Sequence, residues 1–136
     1  MTAFDASAAM VELASRLIGR PALHLSFERI RFQDRFDGVW ACASLLHVPR
    51  HGLPMMLERL GLALRAGGAM YASFKYGEDE VLRDGRLFSD YSEGRFRRVL
   101  DSRPELELVK LWKTTDLRPD CSDTVWLNVL LRKLET

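Results

Sequence analysis

The chain has 136 residues, 47% of them hydrophobic, which is enough for one domain with a hydrophobic core, and we expect a single domain over residues 1–136. Twenty Lys and Arg residues balance 19 Asp and Glu residues, so the net charge of +1 argues against a nucleic-acid-binding protein. Two cysteines are too few for a disulfide framework, and no apolar run approaches the roughly 20 residues of a membrane span. We therefore expect a cytoplasmic protein without a membrane partner.

The first thirty residues predict a short strand, a helix and a second strand. Apolar side chains over residues 10–18 recur at helical spacing, and a glycine and a proline follow them. Asp5 lies between a strand-like stub and the start of this helix. The alternating pattern of residues 22–27 predicts the second strand, which ends in Ser26 and Phe27.

An apolar run over residues 39–45 follows an acidic turn and predicts a strand buried on both faces. Cys42 falls inside this strand, in the expected core. Polar side chains, Ser44 and His47, come only at its carboxyl end, which is the edge where ligands bind in an open parallel sheet. The alternative is a core strand that runs into an ordinary loop.

The remaining residues continue the alternation of helices and strands. Trp112 and Trp126 fall in the last two predicted strands, and we expect both to pack in the core. This order predicts an α/β sheet whose last two strands form an antiparallel hairpin at one edge. The predicted elements are a helix over 53–64 that ends at Gly67 and Gly68, a strand over 69–76, a charged loop over 77–91, a short helix capped by Ser92, and strands over 106–112 and 125–131.

Asp5 and Phe27 are candidates for nucleoside binding. A carboxylate at the end of a strand can accept hydrogen bonds from both hydroxyls of a ribose, because it accepts two at once. The alternative for Asp5 is a helix cap. Phe27 could stack on a purine, and its alternative is plain core packing.

His47 and Tyr76 are candidates for substrate contact. His47 and His51 are four residues apart, but Pro49 between them argues against a regular helix, so no metal site is predicted. His47 could act as a base or touch a substrate at the sheet edge, or it could be an ordinary loop histidine. Ser44 lacks the flanking glycines of a hydrolase nucleophile, and no catalytic residue is predicted.

Four segments of the sequence carry a family resemblance, in an order and at a spacing that cover nearly the whole chain. The most specific part is the segment 36–48 followed by 64–68, and the other parts are 3–11 and 126–130. Together they resemble a class I S-adenosylmethionine-dependent methyltransferase. The branch that they resemble most is the small-molecule branch that includes tellurite-resistance-type enzymes.

The resemblance implies a Rossmann-like methyltransferase sheet, mostly parallel, and direct methyl transfer from a sulfonium to a small-molecule acceptor. Such a transfer depends mainly on the alignment of donor and acceptor. At the position of Ser26 many relatives carry an Asp. The implied roles are the cofactor ribose for Asp5, the adenine for Ser26 and Phe27, the methionine part for Ala41, Cys42 and Ala43, and the substrate side for His47 and Tyr76.

The sequence departs from the family at its start, because the first strand and glycine-rich loop that should precede Asp5 are missing. We therefore expect weak S-adenosylmethionine binding and compromised transfer. A gap beside the strand at residues 39–45 would leave backbone groups unpaired, which favours a homodimer or pairing with a missing complementary segment. The alternatives are a catalytically inactive methyltransferase-like binding or assembly module, and an unrelated α/β binding domain with helix over residues 39–45.

Overall fold

The computed structural model describes residues 1–121 and 123–135, without the side chains of Arg83 and Cys121. The chain divides into two compact units, Met1–Arg31 and Phe32–Thr136, each with its own secondary structure. The expected single domain stays a prediction. Among the described residues, every helix is too short or too polar to cross a bilayer.

The unit Met1–Arg31 contains two short parallel strands and the helix between them, which are β1 (Phe4–Asp5), α1 (Ala8–Ile18) and β2 (Leu23–His24). Ser7 caps α1, because its side chain accepts a hydrogen bond from the Met10 amide. Gly19 ends the helix at φ 70°, a left-handed conformation that glycine adopts readily. The predicted helix is therefore confirmed.

The second strand is shorter than the alternating pattern of residues 22–27 predicts. It holds two residues, and a 3-10 helix over Phe27–Arg29 follows it. Both strand residues are exposed, so no buried face continues the alternation. The Leu25 amide adds one further hydrogen bond to the Asp5 carbonyl at 2.9 Å.

The unit Phe32–Thr136 is built on a four-stranded sheet. Its elements in chain order are β3 (Phe36–Ala41), α2 (Leu53–Ala63), β4 (Leu64–Lys75), β5 (Glu80–Arg83), β6 (Arg86–Ser89), α3 (Glu93–Asp101), β7 (Leu106–Thr115) and β8 (Val125–Lys133). The strand order is β3-β4-β8-β7, with β3 parallel to β4 and the last two strands antiparallel. This is the predicted Rossmann-like methyltransferase sheet with its C-terminal antiparallel hairpin.

The centre of this unit is an aromatic cluster against one face of the sheet. Phe74 on β4, Tyr91 before α3 and Phe96 on α3 are all fully buried. The Phe74 ring centroid lies 4.8 Å from that of Tyr91 and 5.6 Å from that of Phe96. Burial in this cluster raises the pKa of the Tyr91 hydroxyl to about 12.

The expectation that residues 39–45 form a strand buried on both faces is wrong. β3 ends at Ala41, and its Trp40 side chain is 75% exposed. β3 pairs with β4 on one edge, and no strand among the described residues pairs with its other edge. Trp40 stacks instead on Tyr71, with ring centroids 4.2 Å apart. Cys42, expected in the core, is exposed in the turn after the strand.

The charged segment 77–91 is not a loop, because β5 and β6 form a hairpin within it. The turn consists of Asp84 at φ 51° and Gly85 at φ 76°. Two successive positive φ angles are typical of a type I′ turn, for which Asp-Gly is a favoured sequence. The sequence contains this hairpin signal, and the overall charge of the segment obscured it.

Two further predictions need correction. α2 ends at Ala63 and β4 begins directly afterwards, so Gly67 and Gly68 lie within the strand and do not end the helix. A Cβ atom at Gly68 would lie 2.8 Å from a backbone oxygen, so this close approach requires glycine. Trp112 and Trp126 are half-buried on the sheet surface and not in the core.

Candidate functional site

Asp5, Ser26 and Phe27 come together at one end of the small parallel sheet. Asp5 is the last residue of β1, and Ser26 and Phe27 follow the adjacent β2. Asp5 Oδ1 accepts a hydrogen bond from the Ser7 amide at 2.8 Å, and its Oδ2 accepts none from the described residues. The carboxylate therefore caps the turn into α1 and keeps acceptor capacity for a ligand.

Phe27 has features of both interpretations that the sequence leaves open, core packing and stacking on a purine. Its ring packs edge-on against Phe4, with centroids 5.7 Å apart and an interplanar angle of 87°. The side chain is half-buried, so part of the ring surface remains accessible. The neighbouring Ser26 is also half-buried, and its hydroxyl does not cap the following 3-10 helix. Both side chains can contact a ligand.

The turn after β3 is strained and is held by a serine that the sequence analysis missed. Ala43 has φ 50°, a conformation that costs a residue with a Cβ about 1–3 kcal/mol. The Ser73 hydroxyl on β4 accepts a hydrogen bond from the Ala43 amide at 2.8 Å and lies 3.8 Å from Cys42 Sγ. Ser73 is 3% exposed, so the sheet core fixes the turn Ala41–Ala43.

His47 ends a 3-10 helix over Leu45–His47, and both of its ring nitrogens are bonded. Nδ1 lies 2.8 Å from the Leu87 carbonyl oxygen, and Nε2 lies 2.9 Å from Nη2 of Arg86. A carbonyl can only accept and a guanidinium can only donate, so Nδ1 carries the hydrogen and Nε2 accepts. These partners assign His47 as the neutral Nδ1–H tautomer.

Tyr76 follows β4 at the same sheet edge as the turn after β3, because the two strands are parallel. Its hydroxyl donates a hydrogen bond to the Glu93 carboxylate, and Nζ of Lys113 lies 4.7 Å from the ring centroid. The bond to Glu93 raises the pKa of Tyr76 and lowers the pKa of Glu93. The residue is 37% exposed and can still contact a substrate.

The hairpin of β5 and β6 is attached to the segment that follows β3. The Glu80 carboxylate accepts a hydrogen bond from the Arg50 amide at 2.7 Å, which lowers the pKa of Glu80. The buried Ser89 hydroxyl donates to the Val48 carbonyl at 2.9 Å. Together with the bonds of His47, these contacts seat the hairpin over the end of β3. Sequence reasoning did not find these partners, since they are about 30 to 40 residues apart in the chain.

The described residues contain no group of three or more His, Cys, Asp or Glu side chains that could hold a metal ion. His51, four residues after His47, is exposed.

A family model described as a methyltransferase domain matches residues 1–72, which is more than half of the chain. The match includes every residue predicted to contact the cofactor, from Asp5 to Ala43. No protein in a curated set matches this sequence.

Solved structures of methyltransferases share the fold. The 1,6-didemethyltoxoflavin-N1-methyltransferase of Burkholderia thailandensis, with bound 1,6-didemethyltoxoflavin and S-adenosylhomocysteine, is 20% identical with a TM-score of 0.78, covering 98% of this chain and 61% of that one. A SAM-dependent methyltransferase of Methanosarcina mazei is 12% identical with a TM-score of 0.79, covering 99% and 82%. The N-methyltransferase NodS of Bradyrhizobium japonicum, with S-adenosylhomocysteine, is 14% identical with a TM-score of 0.72, covering 98% and 66%. This chain thus spans about three fifths of the first of these structures.

Proposed function

Because the chain belongs to the methyltransferase domain family, we propose that it binds S-adenosylmethionine and takes part in methyl transfer to a small-molecule acceptor. The observation that carries this proposal is the family match over residues 1–72, which contains the strained turn at Ala43 and the carboxylate of Asp5. Strained backbone at the carboxyl end of a strand is typical of a ligand-binding position.

In this proposal Asp5 binds the ribose of the cofactor. Its Oδ2, which accepts no hydrogen bond from the described residues, takes one ribose hydroxyl, and the second lone pair of Oδ1 takes the other. Phe27 packs against the adenine with its exposed ring surface. The Ser26 hydroxyl accepts from the adenine amino group, in the role that an Asp fills in many relatives.

The turn Ala41–Ala43 borders the methionine part of the cofactor. Its side chains are small, so the backbone of the turn can approach a ligand closely. The Ala43 amide donates a hydrogen bond to the Ser73 hydroxyl, so this amide is already satisfied and the turn is held in one conformation. The turn therefore contributes a backbone surface of fixed shape. A fixed shape lowers the conformational entropy that binding must overcome.

The reaction is a direct displacement. A lone pair of the acceptor attacks the methyl carbon, the carbon–sulfur bond breaks, and its electrons return to sulfur, which leaves S-adenosylhomocysteine. The acceptor proton is released to water. The alignment of donor and acceptor supplies most of the rate, so no acid–base pair is needed. His47 and Tyr76 lie on the substrate side.

Calorimetric titration with S-adenosylhomocysteine tests this proposal. We expect sub-millimolar but weak binding by the purified chain, together with little transfer of labelled methyl groups from S-adenosylmethionine to small amine and hydroxyl acceptors. No heat of binding up to millimolar ligand would contradict the proposal. Binding without any transfer would favour the alternative function, a catalytically inactive methyltransferase-like binding or assembly module.

The alternative is favoured by the open edge of β3. We propose that this edge pairs with a strand from a second copy of the chain, because unpaired strand edges beside exposed aromatic side chains promote association. Trp40, 75% exposed, lies on this strand. Pairing with another complementary segment is the other outcome that such an edge allows.

Light scattering tests the self-association. We expect a mass twice that of the 15.6 kDa chain, and we expect Trp40→Glu to shift the protein toward the monomer. Leu117→Glu is the matched control, because Leu117 is 95% exposed in the loop between β7 and β8. A monomer at high micromolar concentration would contradict the dimer.

A further inference from the structure

Two cations lie against the same pair of rings at the end of the parallel strands. Arg86 Nη2 is 2.9 Å from Nε2 of His47, and Nζ of Lys75 is 4.6 Å from the Phe88 ring centroid. The rings of His47 and Phe88 are themselves in edge contact, with centroids 4.8 Å apart. Both positive charges therefore lie at one aromatic pair that joins the hairpin to the segment after β3.

Neither cation has a carboxylate partner among the residues that the structure describes. In residues 1–121 and 123–135, no ion pair links Arg86 or Lys75 to an acidic side chain, whereas Arg95 and Arg103 both have acidic partners. On the hairpin, Glu80 Oε2 accepts a hydrogen bond from the Arg50 amide at 2.7 Å and lies 3.2 Å from the Ser89 hydroxyl. The positive charges of Arg86 and Lys75 are thus available to a ligand.

The histidine cannot contribute a charge of its own in this arrangement. With Nδ1–H donating to Leu87 and Nε2 accepting from Arg86, His47 is neutral and holds one guanidinium N–H in place. A guanidinium has five N–H donors, and the described residues engage one of those of Arg86. The remaining donors suit the planar, bidentate recognition of a carboxylate or phosphate.

From this geometry we propose that Arg86 and Lys75 form a binding site for an oxyanion group of the methyl acceptor, a carboxylate or a phosphate, with His47 as the residue that positions Arg86. The inference rests on the proposed function, since it assigns a chemical class to the acceptor. It also changes the role of His47. The lone pair of Nε2 accepts a hydrogen bond from Arg86, so His47 orients the guanidinium that binds the substrate and does not serve as the base.

The first test compares probes of one shape and different charge. Benzoate and phenyl phosphate are titrated into the chain by calorimetry at low salt, and benzamide serves as the neutral counterpart of benzoate. We expect at least one of the anions to bind about fivefold or more tightly than benzamide, with an affinity that falls as salt is added. Tighter binding of benzoate would indicate a carboxylate on the acceptor, and tighter binding of phenyl phosphate would indicate a phosphate. Equal binding of all three probes would overturn the proposal.

Variants locate the site. Arg86→Gln keeps an N–H donor toward His47 but removes the charge, and we expect it to weaken anion binding about tenfold, as the loss of a charge-assisted hydrogen bond does. Lys75→Gln is expected to weaken it severalfold. The control is Arg97→Gln on the exposed surface of α3. An equal effect of Arg86→Gln and Arg97→Gln would overturn the proposal.

The positioning role of His47 has a separate readout. His47→Gln supplies an amide that can donate to the Leu87 carbonyl and accept from Arg86, so we expect it to restore most of the anion affinity that His47→Ala loses. Loss in both variants would contradict the positioning role.

S-Adenosylhomocysteine titrations of the same samples separate this inference from the proposed function. We expect Arg86→Gln to leave that affinity unchanged. Anion binding that depends on Arg86 in a chain without S-adenosylhomocysteine binding would support the oxyanion site and overturn the proposed function. S-Adenosylhomocysteine binding without a preference for anions would support the proposed function and overturn the oxyanion site.

Discussion

Replacement of Asp5 by alanine is expected to weaken S-adenosylhomocysteine binding by about 10- to 100-fold. A hydrogen bond to a charged group contributes about 1.5–3 kcal/mol, and a factor of ten in affinity corresponds to about 1.4 kcal/mol. The Asp5 carboxylate accepts only the Ser7 amide from the described residues, so a ribose can take its remaining acceptor positions. Calorimetric titration of the wild type and the variant measures the change.

Two controls separate ribose binding from the structural role of Asp5. Asp5→Asn keeps an oxygen for the Ser7 amide and loses the charge, so we expect it to bind almost as weakly as Asp5→Ala. Glu12→Gln removes an exposed carboxylate from α1, and we expect no change in affinity. Wild-type affinity in Asp5→Asn would mean that the loss in Asp5→Ala comes from the turn and not from the cofactor.

Phe74→Ala is expected to lower the free energy of unfolding of the unit Phe32–Thr136 by about 3–5 kcal/mol. The side chain is fully buried, and its removal leaves a cavity between the rings of Tyr91 and Phe96. This loss is a large part of the roughly 5–15 kcal/mol that stabilises a typical domain. Urea denaturation, followed by circular dichroism, measures it.

Leu117→Ala is the matched control, because it removes a large apolar side chain from the same unit at 95% exposure. Exposed positions without special contacts change stability little, so we expect a loss below about 0.5 kcal/mol. A loss for Leu117→Ala as large as that for Phe74→Ala would contradict the assignment of the effect to the buried aromatic cluster.

The elements that the sequence predicts correctly are set by local signals. The spacing of apolar residues identifies α1, and the predicted cap Ser92 accepts a hydrogen bond from the Arg95 amide at the start of α3. The antiparallel pair β7 and β8 follows from two apolar runs joined by a polar loop. Each of these features depends on residues close in sequence.

The burial of β3 could not be predicted from its apolar run. An apolar strand is buried on both faces only if neighbouring strands and helices cover it, and those partners are distant in the chain. In the described part of the chain β3 is an edge strand and Trp40 is exposed, and because the strand ends at Ala41, Cys42 is exposed as well. The apolar run therefore predicts a strand, but it does not predict which elements pack against that strand.

Part of the candidate site was likewise visible in the sequence. The strand-end position of Asp5 predicts a ligand contact, because ligands bind where parallel strands end, whereas the role of Ala43 follows only from the family resemblance. Ser73 and Arg86 were missed, since each acts on a residue about 30 to 40 positions away. The Asp-Gly pair predicts the hairpin turn that Arg86 follows, but it carries no information on the contact of Arg86 with His47.

The most direct test of the account is a titration of the ¹⁵N-labelled chain with S-adenosylhomocysteine, followed by amide NMR shifts. We predict that the largest changes occur at Asp5 and Ser7, at Ser26 and Phe27, and at the turn Ala41–Ala43. Absence of shifts at millimolar ligand, or shifts confined to β7 and β8, would contradict the assignment of a cofactor site to these residues.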